Sequence, residues 1–283
     1  MNRGGGYTIV ETMIFLAVTG VLLISAMTLM AGRQASVQFS QAVTDAQSRM
    51  QDAIGQVASG YYPNNGSFSC FTISPGVPTF DPTPSVQGTS TDCVYLGKAL
   101  GFKNTSSDGG GYVVFSLAAR RLNAANREIT SLDEAHITPI APFAAADGRP
   151  DTTEQFNFDF GISVTRVVNP KTGAKYGTLL FLSTLPKFQG ATSSLASGAQ
   201  RVSFAGVLGS VVADSDYQKA TKLNDLQGAN VDMNPDGGIV ICLADDPVVA
   251  NAKRKAMLTI GEGASQTSVT LDVGAYNTAL CEG

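Results

Sequence analysis

Tryptophan is absent from this chain and histidine occurs once, at His136, so most acid–base and zinc chemistry lacks its usual side chains. His136 sits alone in an acid-flanked loop and reads as structural or exposed. No C-x-x-C, G-x-S-x-G, P-loop or H-E-x-x-H motif occurs, which leaves no recognisable metal, nucleotide or nucleophile site. Charge is scarce as well: 15% of residues are charged, the net charge is −4 and the isoelectric point is near 5.0. A chain of that sign offers nucleic acid no broad basic field. An enzyme, a cofactor, a bound metal and a nucleic-acid partner are therefore not expected.

What the chain does have is a long uncharged run near its start. From Thr12 to Gly32 there are 21 residues without one charged side chain; as a helix they would span about 31 Å, the thickness of a bilayer's hydrocarbon core. An ordinary secretory signal would have a shorter apolar core and then a small-residue cleavage site. Here the helical style continues instead. Phe39, Val43, Ala46, Met50, Ala53 and Val57 recur at alternating steps of four and three, an apolar stripe along one helix face. No proline precedes Pro63, and Gly60 with Pro63 supplies a stop. One helix of about 50 residues is expected, apolar all round in its first half and docked along one side in its second.

Glu11 stands at the edge of the apolar run. A carboxylate costs roughly 2.5–3.5 kcal/mol at the middle of a membrane helix and less near the interface. Glu11 either lies at headgroup level or meets a cation. A chain cut between Gly6 and Tyr7 would supply one, because the new α-amine of a neighbouring subunit is positive.

These residues carry a resemblance. Gly6-Tyr7-Thr8-Ile9-Val10-Glu11, followed by Thr12-Met13-Ile14-Phe15-Leu16-Ala17, resembles the class III signal of type IV prepilins and type II secretion pseudopilins: a glycine, an aromatic residue, three positions, a glutamate, then about twenty apolar residues. Tyrosine stands where that family usually has phenylalanine, and the leader has only Arg3 as a basic side chain. The resemblance implies a leader over residues 1–6, cleavage between Gly6 and Tyr7 by a prepilin peptidase, N-methylation of Tyr7, and an assembly role for Glu11 against the adjacent subunit's amine. It also implies the partners (other pilin subunits and the peptidase) and a path from the cytoplasmic membrane to an extracellular pilus or periplasmic pseudopilus. Residues 7–59 would form the long helix, with 12–32 in the membrane or filament core, and residues 60–283 an exported domain. Such a domain, larger than that of most major pilins, suggests a minor subunit. The competing reading is a membrane-anchored extracellular binding domain that never polymerises.

Beyond residue 60 the composition turns to strands. Tyr112–Leu117, Phe156–Val168, Tyr176–Ser183, Arg201–Val212, Gly238–Leu243, Lys255–Ile260 and Ser268–Val273 are the candidates. Asn169 to Gly173 reads as a turn closing a hairpin. Residues 75–91 and 189–199 read as surface loops. The fold class expected is α+β: a long N-terminal helix packed on a mostly antiparallel, pilin-like sheet domain. The final stretch loosely resembles the C-terminal part of GspH/FimT-type minor pseudopilins.

The cysteines Cys70, Cys93, Cys242 and Cys281 allow three pairings. The local scheme, Cys70–Cys93 and Cys242–Cys281, is the expectation, with four buried free thiols as the alternative; bridges would require an oxidising compartment. By the resemblance, a Cys242–Cys281 bridge would enclose a region like the one pilins display on the filament surface. Asp232 to Gly237 matches the first half of a calcium loop, but Leu243 occupies the place of the bidentate glutamate; a hairpin turn is expected instead. Lys253-Arg254-Lys255 and the group Arg120, Arg121 and Arg127 lack interleaved aromatics, so solvated surface is expected at both rather than a phosphate grip. Asn65 and Asn104 begin glycosylation sequons, which matter only in a glycosylating host.

Overall fold

The structure, a computed structural model, describes residues 8–60, 69–73, 77–81, 92–103, 110–122, 125, 127, 129, 132–140, 154–183, 202–209, 230–233, 235–245, 254–261, 269–273 and 277–282. The chain divides into two compact units, Met1–Gln41 and Ala42–Gly283.

Helix α1, Ile9–Ala58, is unbroken over 50 residues. It contains no proline, and its three glycines, Gly20, Gly32 and Gly55, stand far apart. It ends at Gly60, whose φ of 68° and amide bond to the Val57 carbonyl form a left-handed stop. In the first unit, Ile9–Thr28 is long and apolar enough to cross a membrane, and none of that window is buried. Its hydroxyls are turned onto the helix itself: Thr19 Oγ1 donates to the Phe15 carbonyl at 2.8 Å and Ser25 Oγ to that of Val21 at 2.9 Å. Polar side chains satisfied in this way suit a surface with no water to bond.

In the second unit, the expected stripe is the packed face. Val43, Ala46, Met50, Ala53 and Val57 are buried, joined by Ala42 and Ile54. Phe39, in the first unit, is buried too.

Thirteen strands are described. A hairpin pairs β1 (Ser69–Ile73) with β2 (Val77–Asp81). A seven-stranded sheet contains β3 (Cys93–Lys103), β4 (Gly111–Arg120), β5 (Thr138–Ile140), β6 (Glu154–Asn157), β8 (Tyr176–Ser183), β9 (Val202–Leu208) and β10 (Val231–Met233). Its order is β10-β9-β8-β3-β4-β5, with β6 also on β4. A four-stranded sheet runs β13-β12-β11-β7, from β7 (Ile162–Val168), β11 (Ile239–Asp245), β12 (Lys255–Ile260) and β13 (Val269–Val273). Every pairing among the described strands is antiparallel. Two short α-helices, α2 (Leu132–Ala135) and α3 (Thr278–Cys281), and a single 3-10 turn at Asp159–Gly161 complete the described elements.

The seven-stranded sheet is covered on both faces, which is why every residue of β4 is buried. On one face Val113, Phe115, Leu117 and Ala119 pack with Ala99, Leu180, Leu182 and Ala205 beneath Ala135 and Ile137. The alternate residues, among them Lys98 on β3, turn to the other face, where α1 lies: Lys98 bonds to Gln56. The same helix reaches the four-stranded sheet through Gln47 Nε2, which donates to the Val269 carbonyl at 2.9 Å. The lower half of α1 thus packs on both sheets.

Several expected elements differ from what forms. Phe156–Val168 is two strands, not one. The chain breaks at Asp159–Gly161, where Phe160 (φ 59°) and Gly161 (φ 71°) are both left-handed and redirect it from one sheet to the other. Alternation continues through the break, so periodicity alone cannot see it. The turn at Asn169 forms as expected, with Asn169 Oδ1 accepting from the amides of Lys171 and Thr172 at 2.8 and 3.1 Å. It closes no hairpin, however: after one bridge between Val168 and Lys175, β7 pairs with β11 while β8 pairs with β3 and β9. Strand β2 lies inside a stretch expected to be loop, and β1, β3, β5 and β10 were not expected. The candidate Arg201–Val212 is a strand over Val202–Leu208.

Candidate functional site

The start of α1 brings together the sequence features with most functional content. Thr8 precedes the helix, and its Oγ1 accepts a bond from the Glu11 amide at 3.3 Å. This is the T-x-x-E spacing of a capping box, with Glu11 at the third helical position and its charge at the positive end of the helix dipole. Thr12 Oγ1 donates to the Ile9 carbonyl at 2.8 Å. Glu11 is exposed, beside an apolar surface formed by Ile9, Val10, Ile14 and Phe15, each at least 60% exposed. Gly6 and Tyr7, the expected junction, lie outside the described residues, as do Asn65 and Asn104.

The four cysteines form the two local bridges, Cys70–Cys93 and Cys242–Cys281. The first ties the β1–β2 hairpin to the start of β3. The second ties α3 to the outer face of the four-stranded sheet, where Cys242 and Cys281 pack with Val168, Val240, Met257 and Leu280. Arg166 donates to the Leu280 carbonyl at 2.8 Å, Lys255 pairs with Glu282, and Asn277 Oδ1 caps α3 by accepting from Ala279 and Leu280. In the chain-entropy view the two loops, 23 and 39 residues apart in sequence, contribute about 3–4 kcal/mol each. A Cys242→Ser, Cys281→Ser chain should therefore lose about 3–4 kcal/mol in a denaturant titration, with an unchanged midpoint showing the bridge to be dispensable.

The basic groups are engaged rather than free. Arg254 NH1 lies 3.3 Å from Asp245 Oδ2, and Lys255 lies within β12. Lys253 is outside the described residues. Arg120, expected on solvated surface, is 7% exposed and its Nε donates to the Glu134 carbonyl; Arg121 and Arg127 are exposed as expected. His136 is exposed, in a left-handed turn with φ 46°.

Asp232 to Gly237 is not a hairpin turn either. Asp232 belongs to β10 and accepts the Tyr176 hydroxyl, while the Pro235–Gly238 turn leads into β11 of the other sheet. Asp236 pairs with Lys171 at 2.7 Å, and that ammonium holds its carboxyl below the ordinary value. This pair joins the two turns at which the chain changes sheets, at Asn169 and at Pro235. Among the described residues no group of three or more His, Cys, Asp or Glu could hold a metal ion.

One arrangement gave no sequence signal. Lys98 is 1% exposed in the centre of β3, and no residue-spacing rule brings it to Gln56 and Glu154, which are distant in sequence. Only the register of β3, β4 and β6 against α1 does so.

Comparison of the chain with protein-family models, with curated proteins and with solved structures finds no match.

Proposed function

We propose that this chain is a structural subunit, a minor pilin or pseudopilin, of a type IV pilus or type II secretion-like filament. On this reading a prepilin peptidase cuts between Gly6 and Tyr7, Tyr7 is N-methylated, and the subunit leaves the cytoplasmic membrane through side-by-side packing of its first helix. The carrying observation is the helix Ile9–Ala58, exposed and apolar through Thr28 and docked by one stripe from Val43 to Val57. A passive anchor needs to span a bilayer; it does not need Glu11 at the rim of the span. Two disulfides support an exported domain. The chain then acts by assembling.

The second reading, a membrane-anchored extracellular binding domain that does not polymerise, draws on the capping-box spacing of Thr8 and Glu11, by which a carboxylate in the first helical turn has a local task. N-terminal mass analysis of surface-sheared material separates the two. The expected result is a methylated Tyr7 start in filaments; Met1 to Gly6 retained in assembled material would overturn the processing.

A further inference from the structure

Lys98 is held in the middle of the seven-stranded sheet, and its side chain is 2% exposed. A lysine that deep needs partners, because an unpaired buried ammonium is strongly unfavourable. Two are present. Its Nζ donates to Oε1 of Gln56, on α1, and to Oε1 of Glu154, on β6, at 3.3 Å. An amine, a carboxamide and a carboxyl group therefore meet at one point from three elements. Each is fixed by its backbone: β3 is paired on both sides by β4 and β8, β6 is paired to β4, and the helix is packed through Ala53, Ile54 and Val57.

We propose that Lys98 and Gln56 are joined by an intramolecular isopeptide bond, formed with Glu154 as proton carrier. The Lys98 ammonium passes a proton to the Glu154 carboxylate. The freed amine attacks Cδ of Gln56, the atom bonded to the Oε1 it already contacts, and the Nζ–Cδ bond forms. The second Nζ proton moves to Nε2, the Cδ–Nε2 bond breaks, and ammonia leaves with the proton Glu154 first took, as ammonium. Nothing is oxidised or reduced, and no co-reactant is required. The reaction gains from fixed proximity, which replaces a bimolecular encounter. Glu154, with a side chain 42% exposed, opens the triad to solvent and gives ammonium an exit. The product would tie α1 covalently to the central strand of the sheet. This inference stands apart from the filament reading, since its readout is the same whether or not the chain polymerises.

Trypsin supplies the test on the full-length chain purified in detergent with its disulfides reduced. No lysine or arginine lies between Arg49 and Lys98, so an unlinked chain is cut after Lys98 and releases Met50–Lys98 at full mass. The linked chain resists cutting there and releases Met50–Lys103, lighter by one ammonia; further cleavage at Tyr61 or Tyr62 should leave two peptides still joined. Gln56→Ala should abolish the joined species. Glu154→Ala, at a half-exposed edge position, should slow its appearance in newly made protein by about 10²-fold or more, the usual worth of a positioned proton carrier. Complete tryptic cutting after Lys98 in wild-type protein would overturn the bond, and a Glu154→Ala chain that links as fast as wild type would overturn the role of Glu154.

Discussion

A Gly97→Ala chain should lose much of the stability of its strand-rich domain, although the substitution adds one methyl group. Gly97 lies in β3 at the register shift beside Tyr95, opposite Leu182 of β8. A Cβ there would stand 1.9 Å from the Phe181 carbonyl oxygen and 3.0 Å from Leu182 Cα. Both atoms are backbone, so no rotamer change relieves the clash, and β8 cannot retreat because β9 flanks its far side. Overpacking a core with movable side chains typically costs 1–3 kcal/mol; with backbone on both sides the loss should exceed about 3 kcal/mol, a large part of a domain's ordinary stability. Gly173→Ala is the matched control. Its φ of 72° imposes the left-handed penalty, about 1–2 kcal/mol, but nothing lies within 4 Å of the added carbon. Denaturant midpoints of the two variants should rank accordingly. A Gly97→Ala midpoint equal to or above that of Gly173→Ala would show that β3 and β8 are not held this closely.

The same strand explains what the sequence conceals. Cys93–Lys103 contains Gly97, Lys98 and Gly101, residues that weaken any strand reading based on propensity. Gly97 has no room for a Cβ against the Phe181 carbonyl of β8, and the lysine is tolerated because Gln56 and Glu154 receive it. Both reasons are tertiary. Where a strand is filled by apolar side chains, as in Tyr176–Ser183 and Lys255–Ile260, the sequence limits coincide with the structural ones. The helix is legible throughout, since an uncharged run, a 3.6-residue stripe from Phe39 to Val57 and a stop at Gly60 depend only on local order. At Phe160, Asn169 and Pro235, where the chain changes sheets, the sequence pattern reads as a continuous strand or as hairpins. A turn signal states that the chain reverses; it does not state which sheet receives it. Cys70–Cys93 and Cys242–Cys281 follow the nearest-neighbour scheme because each joins an element to one packed beside it. Gly6 and Tyr7 remain a matter of spacing from Glu11, and so the chemistry must be asked of Glu11.

On the filament reading, replacing Glu11 with alanine should reduce incorporation into filaments by more than about 10²-fold while leaving membrane insertion intact. The physical basis is a buried pair: deleting the carboxylate would strand the neighbouring α-ammonium in a dry helix bundle, at about 3–5 kcal/mol. Insertion should not suffer, because alanine removes a charge from the rim of the span. The competing cause is local: a Glu11 side chain completing a capping box toward the Thr8 amide. The observed bond from the Glu11 amide to Thr8 Oγ1 is kept by any residue, so the local loss is at most a cap's worth, about 0.5–2 kcal/mol, and a glutamine at the third helical position still serves a capping box. Glu11→Gln is therefore the discriminating variant. If the charge matters, Glu11→Gln should assemble as poorly as Glu11→Ala, because a neutral amide cannot compensate an ammonium. If only the cap matters, glutamine should restore wild-type incorporation, measured as the ratio of sheared to membrane-bound chain. That restoration, or an alanine variant that assembles normally, would return Glu11 to a local role at the start of an anchor helix.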